Sequence, residues 1–178
     1  MKQKENASIK DFLIVTLVSI ATVLVIRTYV AQPFVVSGSS MEPTFNTGEY
    51  LVVDQLSYRF NDPQRGDVIV FRYPEIPSKF FIKRIIGLPN ESIKIEGDEI
   101  FIENDSHDFK KITEPYIEYT KNDFMEVTLD SDEYFVMGDN RLASLDSRSW
   151  GPLEKKYIMG RAFFRLFPIN TLDVFPGK

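Results

Sequence analysis

At 178 residues the chain has room for one ordinary domain and an anchor segment, and its 43% hydrophobic and 26% charged residues exclude a disordered protein. A net charge of -5 without any long basic run argues against a nucleic-acid partner. The absence of cysteine excludes a disulfide framework and a thiolate metal site, and with a single histidine, His107, a hydrolytic site here has to work without the usual imidazole or thiolate.

Phe12 to Ile26 is apolar apart from hydroxyls and one alanine. As a helix that run covers roughly 22 Å, short of a ~30 Å hydrocarbon core. Arg27 interrupts it, but Thr28-Tyr29-Val30-Ala31 continues a helix-compatible pattern, and an arginine near a helix end can snorkel to the headgroups. The expected layout is therefore a cytoplasmic tail at 1–11, a membrane anchor at 12–31 in contact with lipid, and a body at 32–178. A cleaved signal is disfavoured because Pro33 occupies the region where a small-x-small site would lie. A core helix is disfavoured because no polar face appears between Phe12 and Ile26. Lys2, Lys4 and Lys10 precede the segment, whereas after Arg27 no basic residue occurs before Arg59. The positive-inside rule then places the tail in the cytoplasm and the body outside the cell membrane.

Beyond Pro33 short apolar runs alternate with turn residues, which predicts a mostly β body: antiparallel, barrel-like or sandwich-like. Strands are expected at Tyr50–Val53, Asp67–Phe71, Phe80–Ile86, Glu133–Met137 and Gly160–Phe167, all rich in β-branched and aromatic residues. Ser92–Glu96 and Glu99–Glu103 alternate with period two around Gly97-Asp98, a hairpin pattern. The stretch 103–132 is polar and reads as a loop-rich, non-catalytic insertion, and His107 within it reads as a solvated surface residue.

Three blocks carry chemistry. In Ser37-Gly38-Ser39-Ser40-Met41-Glu42-Pro43-Thr44 the backbone must bend, and Ser40 reads either as an ordinary loop serine or as a nucleophile flanked by N–H groups suited to an oxyanion. Lys83 sits among Phe80, Phe81, Ile82, Ile85 and Ile86. It either points outward from an edge strand or is desolvated, in which case a pKa drop of roughly 3 units, about 4 kcal/mol, would make it a base near neutrality. Because strand side chains alternate, Lys83 and Arg84 must point opposite ways, one toward a site and the other toward a salt bridge. In the third block Asp139, Asp146 and Arg148 cluster around Gly138-Asp139-Asn140, and Ser144 offers a hydroxyl that could orient a neutral lysine. Taken alone, that block reads as structural ion pairing or as the rigid support that a Ser–Lys pair needs.

Ser40-Met41-x-Pro43-Thr44, Arg65-Gly66-Asp67-Val68-Ile69-Val70-Phe71, Lys83-Arg84-Ile85-Ile86-Gly87-Leu88-Pro89 and Gly138-Asp139-Asn140-Arg141 with Ser144-x-Asp146-Ser147-Arg148 occur in that order. Together they resemble the bacterial type I signal peptidases, membrane-anchored Ser–Lys endopeptidases, and most of all the short Gram-positive type with one anchor. The resemblance runs from the anchor to Phe167. It implies a largely antiparallel β fold, Ser40 as nucleophile, Lys83 as general base, Ser144 as the hydroxyl orienting that lysine, and Asp146, Arg148, Arg84 and Asp139 as supporting residues. It further implies the Ser40 N–H as an oxyanion donor, no metal or other cofactor, and signal peptides of exported preproteins as substrates, bound as extended strands. By position Phe34, Val36, Met41, Phe45, Phe81 and Ile82 are candidate liners of shallow pockets for small side chains.

Three departures stand out. Gly38 occupies the position where some relatives carry a hydroxyl that serves as second oxyanion donor, leaving Ser37 and Ser39 as nearby candidates. Arg141-Leu142-Ala143 replaces an Asn-rich linker, and Asn90-Glu91 replaces Gly-Asp; neither touches an expected catalytic position. The rival reading is a silent homologue acting as a membrane-bound binding or assembly factor, against which stand the intact Ser40 and Lys83. A Ser–Lys self-cleaving regulator should carry a DNA-binding helical domain instead of an anchor.

Overall fold

The computed structural model describes residues 2–103 and 108–177, with backbone alone for 2–8. His107 lies outside the described residues. The chain opens with helix α1 (Lys2–Tyr29), whose apolar part, Ile9–Tyr29, has 21 residues. At 1.5 Å per residue that part is about 32 Å long, sufficient to cross a ~30 Å hydrocarbon layer. None of its side chains is buried, unlike those of a core helix. The helix starts upstream of Phe12 and ends before Ala31, which is already the first residue of β1 (Ala31–Val35). Pro33 explains the stop: its missing N–H and its bias of Gln32 toward extended backbone favour a strand.

The body follows as β2 (Tyr50–Asp54), β3 (Val68–Tyr73), β4 (Ile76–Gly87), β5 (Ser92–Gly97), β6 (Glu99–Glu103), β7 (Phe109–Lys111), β8 (Asp123–Thr128) and β9 (Glu133–Met137). A single helical turn, α2 (Ser147–Trp150), precedes β10 (Leu153–Glu154), β11 (Ile158–Phe167) and β12 (Asp173–Val174). All strand pairs are antiparallel. The larger sheet runs β1-β2-β11-β3-β4-β9-β10 with β12 on β11, and the smaller runs β7-β6-β5-β8. Phe34 of β1 nonetheless meets Phe80 of β4 edge to face at 5.4 Å, although three strands separate β1 from β4 in the sheet order. Strand twist has therefore curled the larger sheet until its first strand faces its fifth, and a cleft forms in that fold-over.

Burial patterning explains the layers. In the β5–β6 hairpin Ile93, Ile95, Ile100 and Ile102 point inward, while the turn at Gly97-Asp98 takes Gly97 to φ +70°, which suits a two-residue hairpin loop. These isoleucines pack with Ile86, Phe135 and Met137 of the larger sheet, tying the two sheets together. Each such buried side chain contributes roughly 1.5–3 kcal/mol relative to exposure. A second cluster (Val36, Met41, Phe45, Leu51, Val68, Ala162) lies beneath the segment carrying Ser40, and a third (Ile69, Phe71, Ile85, Tyr134, Val136, Leu153) lies under α2 and β10. The stretch 103–132 supplies β7 and β8 at the two edges of the smaller sheet, and Leu129 enters its core.

Candidate active site

The segment from Val36 to Glu49 is stitched at its base by Val36 N–H donating to Glu49 O and Gly48 N–H to Val36 O, both 2.9 Å. Gly38 N–H also donates to Thr47 Oγ1 at 3.0 Å, and that hydroxyl donates back to Gly38 O at 3.0 Å. Gly38 has φ +97°, a conformation that a side chain would strain. Gly38, expected as a possible oxyanion-donor position, is part of the turn itself. Ser39 O then accepts from Glu42 N–H at 3.2 Å and Met41 O from Phe45 N–H at 2.8 Å, so the chain winds into a helical turn immediately after Ser40.

That turn faces β4. Lys83 Nζ donates to Ser40 Oγ at 2.7 Å and to Ile82 O at 2.9 Å, while its ammonium lies 5.2 Å from the centre of the Phe81 ring. Burial holds the Lys83 pKa down at about 8, against the opposing pull of the Asp146 and Asp139 carboxylates. A lysine that loses its proton this easily, in hydrogen-bond contact with a serine hydroxyl, is equipped to take that hydroxyl's proton.

Arg84, next along β4, is equally buried but fully matched. Its Nε and one terminal nitrogen donate to the two oxygens of Asp139 at 2.8 and 2.6 Å, and its other nitrogen serves Gly66 O at 3.0 Å and Gly177 O. Thr44 Oγ1 completes Asp139 at 2.6 Å. Both members of the pair are almost fully sealed from water, with 1% exposure each. The turn at 138–140 also meets the serine directly: Asn140 N–H donates to Ser40 O at 3.1 Å. A Cβ on Gly138 would lie 2.3 Å from both Ser40 O and Ser144 Oγ, so only glycine permits this approach.

Asp146 caps α2 and receives Arg148 through Nε at 2.8 Å and a terminal nitrogen at 2.8 Å, with Gly138 N–H at 3.0 Å. Burial alone would raise the Asp146 pKa, but the Arg148 hydrogen bonds and charge outweigh it and hold the carboxyl ionised. Arg148 continues to Asp123 at 2.7 Å and to Arg141 O at 2.9 Å. Ser144 Oγ is buried beside this carboxyl, close enough to help keep it ionised, yet makes no hydrogen bond of regular geometry. Lys83 bonds to Ser40 and Ile82 rather than to Ser144.

A cleft of about 400 Å³ runs between β1 with the Ser37–Ser40 segment and the middle of β4, and Ser40 and Lys83 are part of its wall. Of the expected liners, Phe34, Val36, Phe81 and Ile82 face it, with Val35, Leu51, Val70, Phe80, Ala143 and Leu145. Met41 and Phe45 do not. They are 1% and 0% exposed in the cluster beneath, because the helical turn after Ser40 rotates both inward. Ser37 and Ser39 border the cleft beside Gly38.

Sequence reasoning overlooked several members of this network. Arg141, to which the sequence assigned no role, is buried, donating to Gly138 O at 3.0 Å and to Glu114. Glu114, Tyr116 and Asp123 come from the insertion and touch the catalytic-side arginines. Nothing in the local pattern around 114–123 indicates this, because the partners are 25 or more positions away.

A profile of the family described as signal peptidase, peptidase S26, matches residues 9–167. Signal peptidase I U of Bacillus subtilis (strain 168) is 40% identical over 181 residues, covering 95% of this chain and 94% of its own. Signal peptidase I of Leptolyngbya laminosa is 37% identical over 162 residues, covering 86% and 77% respectively. A solved signal peptidase I from Enterococcus faecalis V583 shares 28% identity, covering 57% of this chain and 97% of its own at a TM-score of 0.48. With the profile spanning most of the sequence, and the blocks around Ser40, Lys83 and Gly138–Arg148 inside it, the chain belongs to the signal peptidase family, peptidase S26.

Proposed function

We propose that the chain is a membrane-anchored endopeptidase that removes signal peptides from exported preproteins with Ser40 as nucleophile and Lys83 as general base. The observation that carries this reading is the 2.7 Å contact between Lys83 Nζ and Ser40 Oγ, made by a lysine whose burial favours its neutral form. The substrate lies extended in the cleft between β1 and β4. Neutral Lys83 removes the Ser40 hydroxyl proton as Oγ attacks the scissile carbonyl carbon, and the Ser40 N–H stabilises the oxyanion. The resulting Lys83 ammonium gives its proton to the leaving amine as the C–N bond breaks. Water then attacks the acyl ester, Lys83 takes a water proton, and that proton returns to Ser40 Oγ as the carboxylic product departs. Ser144 Oγ, buried with no regular hydrogen bond in the resting site, is available to receive an N–H of Lys83 during this cycle. Asp139 with Arg84, and Asp146 with Arg148, hold the walls in place.

Helix α1 anchors this site to the membrane, with Lys2, Lys4 and Lys10 on the cytoplasmic side and the body outside. The test is cleavage of a purified preprotein by the full-length chain in detergent, with the new N-terminus read by mass. Wild type should cut and Ser40→Ala and Lys83→Ala should not, each remaining folded. Wild-type turnover by Ser40→Ala would overturn the assignment.

A further inference from the structure

The connection between β7 and β8 reaches into the site from the smaller sheet. The Arg84 guanidinium carbon lies over the Tyr116 ring, 3.8 Å from its centroid. Its hydroxyl donates to Glu114 Oε1 at 2.8 Å, and the same carboxylate pairs with Arg141, both partners being nearly sealed from water. Two side chains of the insertion thus hold two arginines, and each arginine holds a different residue of the 138–140 turn. Arg84 binds the Asp139 carboxylate, and Arg141 binds Gly138 O at 3.0 Å. The turn in its place presses on the Ser40 carbonyl through Asn140 N–H and through the glycine-only approach at Gly138.

We infer that Glu114 and Tyr116 are positioning residues for the Ser40–Lys83 pair, acting through Arg84 and Arg141 on the 138–140 turn. The inference rests on the proposed Ser–Lys reading and assigns to the insertion a part in setting that pair's geometry. A carboxylate, a stacked ring and two guanidiniums form a rigid bracket in which charge, hydrogen bonds and ring face all match. Neither Glu114 nor Tyr116 borders the cleft, so loosening the bracket should spare substrate binding. It should instead let Ser40 drift from its attack position, and displacements of about 1 Å at such a site cost up to about a hundredfold in rate.

The charged groups near Lys83 are Asp139 and Asp146, each compensated by its own arginine, Arg84 and Arg148. Removing the ring loosens the hold on Arg84 and with it the grip of Arg84 on Asp139, one of the two carboxylates whose charge favours the Lys83 ammonium. A carboxylate less fully matched by its arginine favours the Lys83 ammonium further, so the acid limb of the rate profile should move toward higher pH.

The experiment compares kcat, KM and pH profile for full-length wild type, Tyr116→Ala, Tyr116→Phe, Glu114→Gln and Ser40→Ala on one preprotein, alongside thermal melts. Tyr116→Ala and Glu114→Gln should each lose at least tenfold in kcat with KM within twofold, and the acid limb of Tyr116→Ala should shift upward. Tyr116→Phe, which keeps the ring over Arg84, should recover most of the loss of Tyr116→Ala. If Tyr116→Ala does not fold, Glu114→Gln, close to isosteric, decides by the same split. Folded variants with wild-type kcat, or a loss carried equally by KM, would overturn the inference while an inactive Ser40→Ala leaves the Ser–Lys reading standing. An active Ser40→Ala would instead remove the reading on which it rests.

Discussion

Lys83 and Arg84 are consecutive on β4, yet their charges part: one reaches the Ser40 hydroxyl at 2.7 Å, the other grips both oxygens of Asp139 at 2.8 and 2.6 Å. Alternation along the strand imposes the divergence. Its consequence is an asymmetry of compensation. Arg84 is buried with an ion-pair partner and stays charged, whereas Lys83 is buried against a neutral hydroxyl and a carbonyl, which favours release of its proton.

Activity should therefore rise with pH through the Lys83 titration. In the proposed mechanism the neutral amine is the working form, so kcat/KM should increase tenfold per pH unit well below about 8 and level off above it. Lys83→Arg should be inactive throughout, because a guanidinium does not deprotonate in this range. A profile flat from pH 5 to 10 with chemistry rate-limiting would exclude a titrating lysine.

The same burial should cost stability. The folded pKa of Lys83 lies below its unfolded value, so between about pH 8 and 10.5 the unfolded chain binds more protons and wild-type stability rises with pH. The penalty is fully present below about 8 and gone above about 10.5, and its size is roughly 3 kcal/mol. Lys83→Met should thus be inactive and more stable than wild type near pH 7, with the gap closing above pH 8. Denaturant unfolding at pH 7 and at pH 10.5 measures it.

Asp139→Ala should act in the opposite direction. It strands Arg84 in a dry site with only the Gly66 and Gly177 carbonyls and the Tyr116 face, and breaking a buried pair from one side typically costs about 3–5 kcal/mol. Asp139→Asn keeps one acceptor and should lose less. Unfolding midpoints at constant pH give the ranking.

Much of this was legible in the sequence because the signals are local. Period-two alternation around Gly97-Asp98 specified the β5–β6 hairpin, and the apolar flanks of Lys83 made burial one of its two readings, the one the structure adopts. β1 was not legible: it follows the helix after a single residue, Val30, and its strand pattern is only five residues long. Met41 and Phe45 were misplaced because a run of turn residues does not reveal which way a helical turn will rotate them. Arg141 was given no role for a different reason. A charged side chain in a polar turn reads as exposed until its carboxylate arrives from 27 positions away, which no local pattern encodes.

Topology is open to a direct check. Protease added outside spheroplasts should digest the body while a tag at the N-terminus stays protected, since Lys2, Lys4 and Lys10 lie at the start of α1 and no Lys or Arg occurs between Arg27 and Arg59. A protected body would reverse the orientation.

Substrate choice should depend on the residues that wall the cleft and not on those beneath it. Ile82 is half-buried and faces the cleft, whereas Phe45 is sealed in the core below. Trimming Ile82→Ala enlarges the space beside Ser40 and relieves the clash with a larger side chain before the cut, where overfilling otherwise costs about 1–3 kcal/mol, or roughly 5- to 150-fold in kcat/KM. Wild type should prefer Ala over Leu at that substrate position, and Ile82→Ala should narrow the preference. Phe45→Ala should leave the preference as it is while losing about 3–5 kcal/mol of stability through the cavity it creates. A preprotein series with Ala, Val, Leu and Phe before the cut, scored by product mass, separates the two. Altered selectivity in Phe45→Ala with none in Ile82→Ala would mean that the substrate side chain enters the core side of the turn, and the cleft between β1 and β4 would lose its assignment as the binding groove.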